Sequence, residues 1–283
     1  MGFRPARAGD GMTDLKPPRV LCVGTHHKTG TVWMRRVFRE ISQVMGIPMI
    51  GIHRPEKWER VPDTGRVIVV NWAARFAPEL RNRDDVRLFH LIRDPRDVLL
   101  SGARYHESTA MQTEKFLFQA RKDLGGKTYQ AHMQGLPTLE DKLAFEMGEM
   151  HLKTLTQMRD WDAENPRALD LRYEDLIEDT DCTLFTQVLR FFGFSEDEIK
   201  TGCDIFVKNS LFSGQAGGRA KTHVKSGKAA QWVTALPPAT AQLYLDRHGD
   251  DLIALGYETD TTWIDRLDYQ PPSTTPEPQT EES

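Results

Sequence analysis

The sequence is poor in cysteine. Cys22, Cys182 and Cys203 are the three among 283 residues. Scattered and odd in number, they show no metal-ligand spacing and fit a reducing compartment better than a disulfide framework. Cys22, inside an apolar run, reads as a small core residue. No run approaches the roughly 18 apolar residues of a membrane span. The start, "MGFRPARAGDGMTDLKPP", lacks the apolar centre of a secretory signal. A cytoplasmic location is the expectation. Excess charge is missing too: the formal net charge is -4. The segment from Asp268 onward carries Asp268, Glu277, Glu281 and Glu282 without a Lys or Arg, so the remainder sums to about zero. Neither a nucleic-acid nor a membrane partner is expected from such a balance. No internal repeat is visible.

What is present suits one α/β domain, because 39% apolar residues can fill a real core. Residues 1–17 and 268–283 are rich in Pro, Ser, Thr and charge and read as a flexible N-terminal tail and a disordered acidic C-terminal tail, leaving 18–267 as the domain. Short β-branched runs at 19–24, 66–71, 86–93 and 167–173 read as buried strands. Between the first two, Val32, Val37, Ile41 and Val44 approach helical spacing, and Gly46 is placed to end the helix. Asp94-Pro95 opens a second helix as N-cap and first helical residue. Thr138-x-x-Asp141 opens a long helix over 138–162. Two more follow over 182–193 and 195–210. Strands alternating with helices predict a mostly parallel central sheet flanked by helices on both faces. Ligands of such sheets sit beyond the carboxyl ends of the strands.

The stretch "GTHHKTGTVW" (24–33) falls there. A strand ending near Gly24 and a helix starting near Gly30 aim free backbone N–H groups and the positive helix end at one spot, which favours phosphate or a similar anion. Lys28 adds a mobile charge, and Thr29 and Thr31 add hydroxyls. A nucleoside-triphosphate loop would end in Gly-Lys-Ser/Thr, whereas Lys28 precedes Gly30. The plainer alternative is a glycine-punctuated turn with an exposed lysine. Downstream, "RDPRDVLLS" sets Arg93 at a strand end and Ser101 eight residues on. Arg supplies a rigid fork for phosphate oxygens and Ser a further donor; a surface charge cluster is the other reading.

These segments resemble the sulfotransferases that use 3′-phosphoadenosine 5′-phosphosulfate (PAPS). "HKTGTVW" is similar to their 5′-phosphosulfate loop, Pro-Lys-Ser/Thr-Gly-Thr-Thr-Trp. "RDPRDVLLS" resembles their 3′-phosphate motif, "LRYEDL" (171–176) their Tyr-Glu-Asp-Leu stretch, and "KSGKAAQW" (225–232) their Arg-Lys-Gly-x-x-Gly-Asp-Trp closing motif. The resemblance spans residues 19–232 and implies a P-loop-like sulfotransferase fold. It implies PAPS as co-substrate, no metal, and in-line transfer of a sulfuryl group to a hydroxyl or amine of a small-molecule acceptor. By the match, Lys28 touches the bridging oxygen of the donor. Thr29, Gly30, Thr31 and Val32 cradle the 5′-phosphate. Trp33 stacks on adenine, unless it packs into the core, and Tyr173 contacts adenine. Arg93 and Ser101 hold the 3′-phosphate, with Lys225, Ser226 and Gly227 as further contacts. Lys225, Ala230 and Gln231 depart from the closing motif, and Lys lacks the fork of Arg. The glycine-rich 213–227 stretch is implied to be a lid. An ATP-dependent P-loop kinase and a non-catalytic nucleotide-binding protein are the alternatives; the first lacks Gly-Lys-Ser/Thr.

The family's usual base, the His of a Thr-His-Leu-Pro segment after the second strand, is missing, because Asn71 and Trp72 stand there. Asn cannot take a proton. Three histidines are candidates. His27 replaces the proline before the loop lysine, His53 lies where some relatives carry an acidic base, and His106 is read as following the Ser101 helix near acceptor-lining positions. His26 is read as shaping the turn.

Overall fold

The four expected runs form β1 (Val20–Thr25), β3 (Val67–Asn71), β4 (Val86–Ile92) and β5 (Ala168–Arg172) in a computed structural model, which describes residues 17–111, 114–210 and 228–271. A fifth strand, β2 (Met49–Gly51), was not legible, since three residues after Pro48 are too few for a period-2 pattern. Among the described residues the sheet runs β2-β3-β1-β4-β5, and every pairing is parallel. The architecture is therefore a single α/β domain with a wholly parallel sheet, where a mostly parallel one was expected.

Strands β1, β3 and β4 are buried along their whole length because each parity of side chains meets its own helical layer. Leu21, Val23, Ile68, Val70, Phe89 and Leu91 pack with α1 (Thr31–Met45), α7 (Tyr173–Ile177), α8 (Thr183–Phe191) and α9 (Glu196–Asn209). Val20, Cys22, Val67, Val69, Val86 and Leu88 pack on the other face with Leu80 of α2 (Pro78–Arg81) and Trp161. Cys22 is the core residue expected, its thiol pushed up by burial.

The apolar stripe of α1 differs from the one its valines implied. Val32 and Val44 are 42% and 60% exposed; the buried face is Trp33, Met34, Val37, Phe38 and Ile41. Larger side chains decide, because each removes more apolar surface from water at about 25 cal/mol per Å². The helix ends as expected at Gly46, in the left-handed region with its N–H on Ser42 O.

Helix α3 (Pro95–Ser108) is capped by Asp94, which accepts from the Arg96 N–H. A short α4 (Tyr129–Gln134) follows. The expected long helix over 138–162 is two, α5 (Leu139–Gly148) and α6 (Met150–Arg159). Gly148 is a weak helix former, and Glu149 leaves helical geometry (φ −115°, ψ −105°) while accepting two hydrogen bonds from Arg121. The Thr138–Asp141 and Ser195–Glu198 capping boxes are both formed. Helices α10 (Trp232–Ala235) and α11 (Pro238–Ala254) pack with α3 and α5 in a further apolar cluster. Folded contacts continue past residue 267: Asp268 N–H bonds Val233 O at 2.9 Å and Gln270 N–H bonds Thr234 O at 2.8 Å. The expected tail boundary therefore moves beyond Gln270. Lys225, Ser226 and Gly227, the 213–227 stretch and the rest of both expected tails lie outside the described residues. Among the described residues no helix is long and apolar enough to cross a membrane.

Candidate functional site

β1 lies at the point where strand order reverses, β3 and β2 on one side and β4 and β5 on the other. In parallel sheets that is where the carboxyl ends of the strands part to admit ligands. From Thr25 the chain turns into α1 within residues 26–30. Lys28 (φ 64°) and Gly30 (φ 98°) both adopt left-handed backbone. For Lys28 that geometry costs on the order of 1 kcal/mol or more, a strain found where a loop is held for a purpose. Gly30 is required twice over, since a Cβ there would also lie 3.1 Å from the Tyr173 ring.

The threonines serve the loop itself. Thr29 is fully buried; its hydroxyl accepts the His26 N–H at 2.7 Å and turns its own proton to His26 O or Leu91 O. Thr31 Oγ1 sits 2.7 Å from both His26 O and Thr25 Oγ1. Both hydroxyls bond within the loop and staple it, a role beside the ligand contacts expected of them. Next to them are the amides. The first bond back into α1 is Met34 N–H to Gly30 O, so the N–H groups of Gly30, Thr31, Val32 and Trp33 find no acceptor among the described residues.

Two cations face this turn. Arg93, 5% exposed at the β4–α3 junction, donates from Nη1 to Lys28 O at 3.2 Å. Its Nε and Nη2 have no hydrogen-bond partner among the described residues, the nearest carboxylate oxygen, of Asp97, standing 3.7 Å away. Asp97, Ser101 and Tyr105 succeed one another every four residues and share one face of α3. The first faces Arg93 and the last carries the Lys28 ammonium 4.0 Å above its ring, so Ser101, half-buried, lies between the residues that hold the two cations. Burial pushes the Lys28 ammonium down to about 8, against the pull of Glu114. Burial also raises the Asp97 carboxyl to about 6. Asp97 Oδ1 accepts the Trp232 N–H at 2.9 Å, and Arg104 donates to Gln231. The described end of the closing motif, Gln231 and Trp232, is thereby docked on the same helix.

Of the three candidate bases, the fold brings two together. His27 Nε2 and His106 Nε2 are 2.9 Å apart. His106 lies within α3, not after it, and is fully buried. Its Nδ1 is 2.7 Å from Glu146 Oε2, which also accepts the Tyr129 hydroxyl at 2.7 Å. His27 keeps one ring edge open, its side chain 18% exposed and 3.8 Å from Glu114; burial, then His106 and Lys28, hold its imidazole well below its ordinary value. His53 is not part of this group. It is exposed and lies against Gly51 of the edge strand β2, with β3 between it and β1. His26 is buried and turned to His90 on β4. Asn71 is spent on structure, its amide donating to Ile52 O and Arg75 O and its oxygen accepting the Ala73 N–H.

Trp33 is 5% exposed and packed in the core against Phe206 and edge-on to Tyr173. The Tyr173 ring carries the Arg93 guanidinium at 4.7 Å. Glu114, Tyr129 and Glu146 escaped sequence reasoning. The signal available was Glu146, a charge on the buried face of α5 beside Leu143 and Met147. The 115–135 stretch covers this cluster, Phe116 standing edge-on to both His106 and Tyr129. His27, His106 and Glu114 bring three ligand-type atoms within 4.8 Å of one another, a grouping that spacing in the chain did not reveal. The two imidazoles face each other's nitrogens and the Lys28 ammonium adjoins, so a shared proton is what this geometry supports.

Comparisons with known proteins bear on the same region. The family model described as a sulfotransferase domain matches residues 17–240. No curated protein sequence matches the chain. Among solved structures it is similar to retinol dehydratase in complex with androsterone and the inactive cofactor PAP (TM-score 0.46, 16% identity, 85% of this chain and 82% of that one). It is also similar to a mouse sulfotransferase complexed with PAP (TM-score 0.48, 15% identity, 84% of this chain and 86% of that one).

Proposed function

The chain belongs to the sulfotransferase domain family, and from that premise we propose that it moves a sulfuryl group from PAPS to a hydroxyl or amine of a small-molecule acceptor. One observation carries the choice of donor: among the described residues the first amides of α1 and the Nε and Nη2 of buried Arg93 have no hydrogen-bond acceptor, while Arg93 Nη1 donates to the Lys28 carbonyl. A buried guanidinium short of acceptors costs free energy unless an anion completes it, and the free amides of a helix N-terminus are a ready anion site. Two anionic groups on one molecule do so, a 5′-phosphosulfate at the α1 amides and a 3′-phosphate at Arg93 and Ser101. Lys225, Ser226 and Gly227 are further contacts by family resemblance, as is Tyr173 for the adenine.

The donor supplies an activated sulfuryl group; the protein supplies position and charge. The amides of Gly30, Thr31, Val32 and Trp33 hold the 5′-phosphate, with the dipole of α1 behind them. Lys28 meets the negative charge that grows on the departing phosphate oxygen, a preorganised interaction that gains strength where water is excluded. His27, on the residue before Lys28, takes the acceptor proton; its lowered basicity leaves it neutral near pH 7 and able to accept. Trp33 supports the turn from the core, since Phe206 and Tyr173 already pack against it.

Thermal denaturation with nucleotides tests the donor. Adenosine 3′,5′-bisphosphate at 100 times its dissociation constant adds about 2.7 kcal/mol to stability, and ADP at the same concentration adds far less because it leaves Arg93 unmet. Equal stabilisation by both would favour an ATP-type site and overturn the reading. Transfer of labelled sulfate from PAPS across hydroxyl and amine acceptors then tests the reaction.

A further inference from the structure

Two imidazole nitrogens facing each other at 2.9 Å have room for one proton between them, so the His27–His106 pair has a direction, and its surroundings set it. Glu146 Oε2 receives the Tyr129 hydroxyl and lies at hydrogen-bond length from His106 Nδ1. A carboxylate accepts and a ring N–H donates. His106 therefore carries its proton on Nδ1 and turns the Nε2 lone pair to His27. His27 must then donate from Nε2, which leaves its own lone pair on Nδ1, the edge beside Glu114. Helix α3 is shaped for this: a Cβ at Gly102 would stand 2.8 Å from Glu146 Oε1, so the glycine lets the carboxylate reach His106 from α5.

Resting on the reading of His27 as the base, we propose that its Nδ1 is the atom that takes the acceptor proton, and that His106, Glu146 and Tyr129 are positioning residues that lock this tautomer. In the transfer, a bond forms between the acceptor oxygen or nitrogen and sulfur while the bond from sulfur to the phosphate oxygen breaks. The electron pair of the broken bond stays on that oxygen beside Lys28, and the acceptor proton passes to Nδ1. The imidazolium so formed is held through Nε2–H to His106, whose Nδ1–H rests on the Glu146 carboxylate. Such a partner fixes orientation and stabilises the charge without itself taking the proton. The charged and titratable groups that face His27 are Lys28, Glu114, His106 and Tyr105, with Lys153 from α6. Those that face His106 are Glu146, Glu114 and His27, with Tyr129 packed edge-on.

The test measures kcat and KM against pH for the full chain and for Glu146→Gln, Glu146→Asp and Tyr129→Phe, together with ¹⁵N spectra of the His27 ring. Glu146→Gln is expected to lower kcat by about 10- to 100-fold with the donor KM within about twofold, less than the roughly 10²–10⁴ of general acid–base catalysis because the base itself remains. Its acid limb moves to lower pH, because the charge that favours the imidazolium is gone. Tyr129→Phe moves the limb the other way, since a carboxylate relieved of one donor holds His106 and His27⁺ more strongly, and Glu146→Asp recovers part of the loss. A structural role alone would not shift the two limbs in opposite directions. Unmoved or parallel limbs, or a His27 ring protonated on Nδ1 in the neutral wild-type protein, would overturn the assignment. The ring spectra need no turnover, so a wild-type protein that transfers no sulfate would sink the functional reading while the tautomer is still decided.

Discussion

His26 and His27 are neighbours in the chain, and each heads a series of imidazole, imidazole and carboxylate. From His26 the series runs to His90 at 2.8 Å and on to Asp170 at 2.7 Å. From His27 it runs to His106 and Glu146 at nearly the same lengths. The inner series is sealed: His26 is fully buried, and the Trp161 ring stacks on His90 at 4.0 Å. His90 and Asp170 sit in register on the adjacent strands β4 and β5, and His26 follows directly on the end of β1. The outer series joins a loop to α3 and α5 and leaves one edge of His27 open. Identical hydrogen-bond chemistry thus serves two ends. With both ends closed it fixes strands to one another; with one end open beside Lys28 it can exchange a proton.

The largest expected effect lies at the open end. Lys28→Ala removes the ammonium that this turn holds over the Tyr105 ring, and kcat should fall by about 10³, the upper range for removing one preorganised charge or donor. His27→Ala should lower kcat by about 10² and leave binding of adenosine 3′,5′-bisphosphate within about threefold. The sealed series should behave oppositely. Asp170→Asn is expected to cost about 1–3 kcal/mol in urea unfolding, the usual consequence of weakening a buried polar pair, with turnover per folded molecule changed less than about twofold. An equal loss of turnover in Asp170→Asn and His27→Ala would erase the distinction between the two series.

How much of this the sequence disclosed depended on how local the cause was. The turn, four of the strands and the Asp94 and Thr138 caps were legible because each is fixed by residues within a few positions. The edge strand β2 and the break at Glu149 were not, since the first depends on pairing with β3 and the second accompanies an ion pair to Arg121, 28 residues away. At the site, Lys28 and Arg93 could be named from their motifs, but the inward turn of the Thr29 and Thr31 hydroxyls follows from left-handed geometry at Lys28 that no residue type announces. His27 and His106 were read as rivals. They are partners 79 positions apart, joined because α3 starts beside the loop it serves, and Glu146 enters only through the opening at Gly102.

The finest test of the open series is the shape of its pH profile. In the free enzyme burial holds His27 below its ordinary value and lowers Lys28 to about 8. As pH falls through the His27 transition the base becomes protonated and can no longer accept, so kcat/KM should drop on an acid limb below 6.5. As pH rises through about 8, Lys28 loses the charge that meets the departing oxygen, so an alkaline limb follows. Bound donor brings negative charge to Lys28, which favours the ammonium, so the alkaline limb of kcat should lie above that of kcat/KM. Arg93, Glu114 and Glu146 also act on Lys28, the first lowering it and the two carboxylates raising it. Glu114→Gln should therefore draw the alkaline limb of kcat/KM to lower pH by a fraction of a unit, whereas Asp170→Asn, in the sealed series, should leave both limbs where they are. Movement of the limbs by the Asp170 change would mean that the two series are electrostatically one.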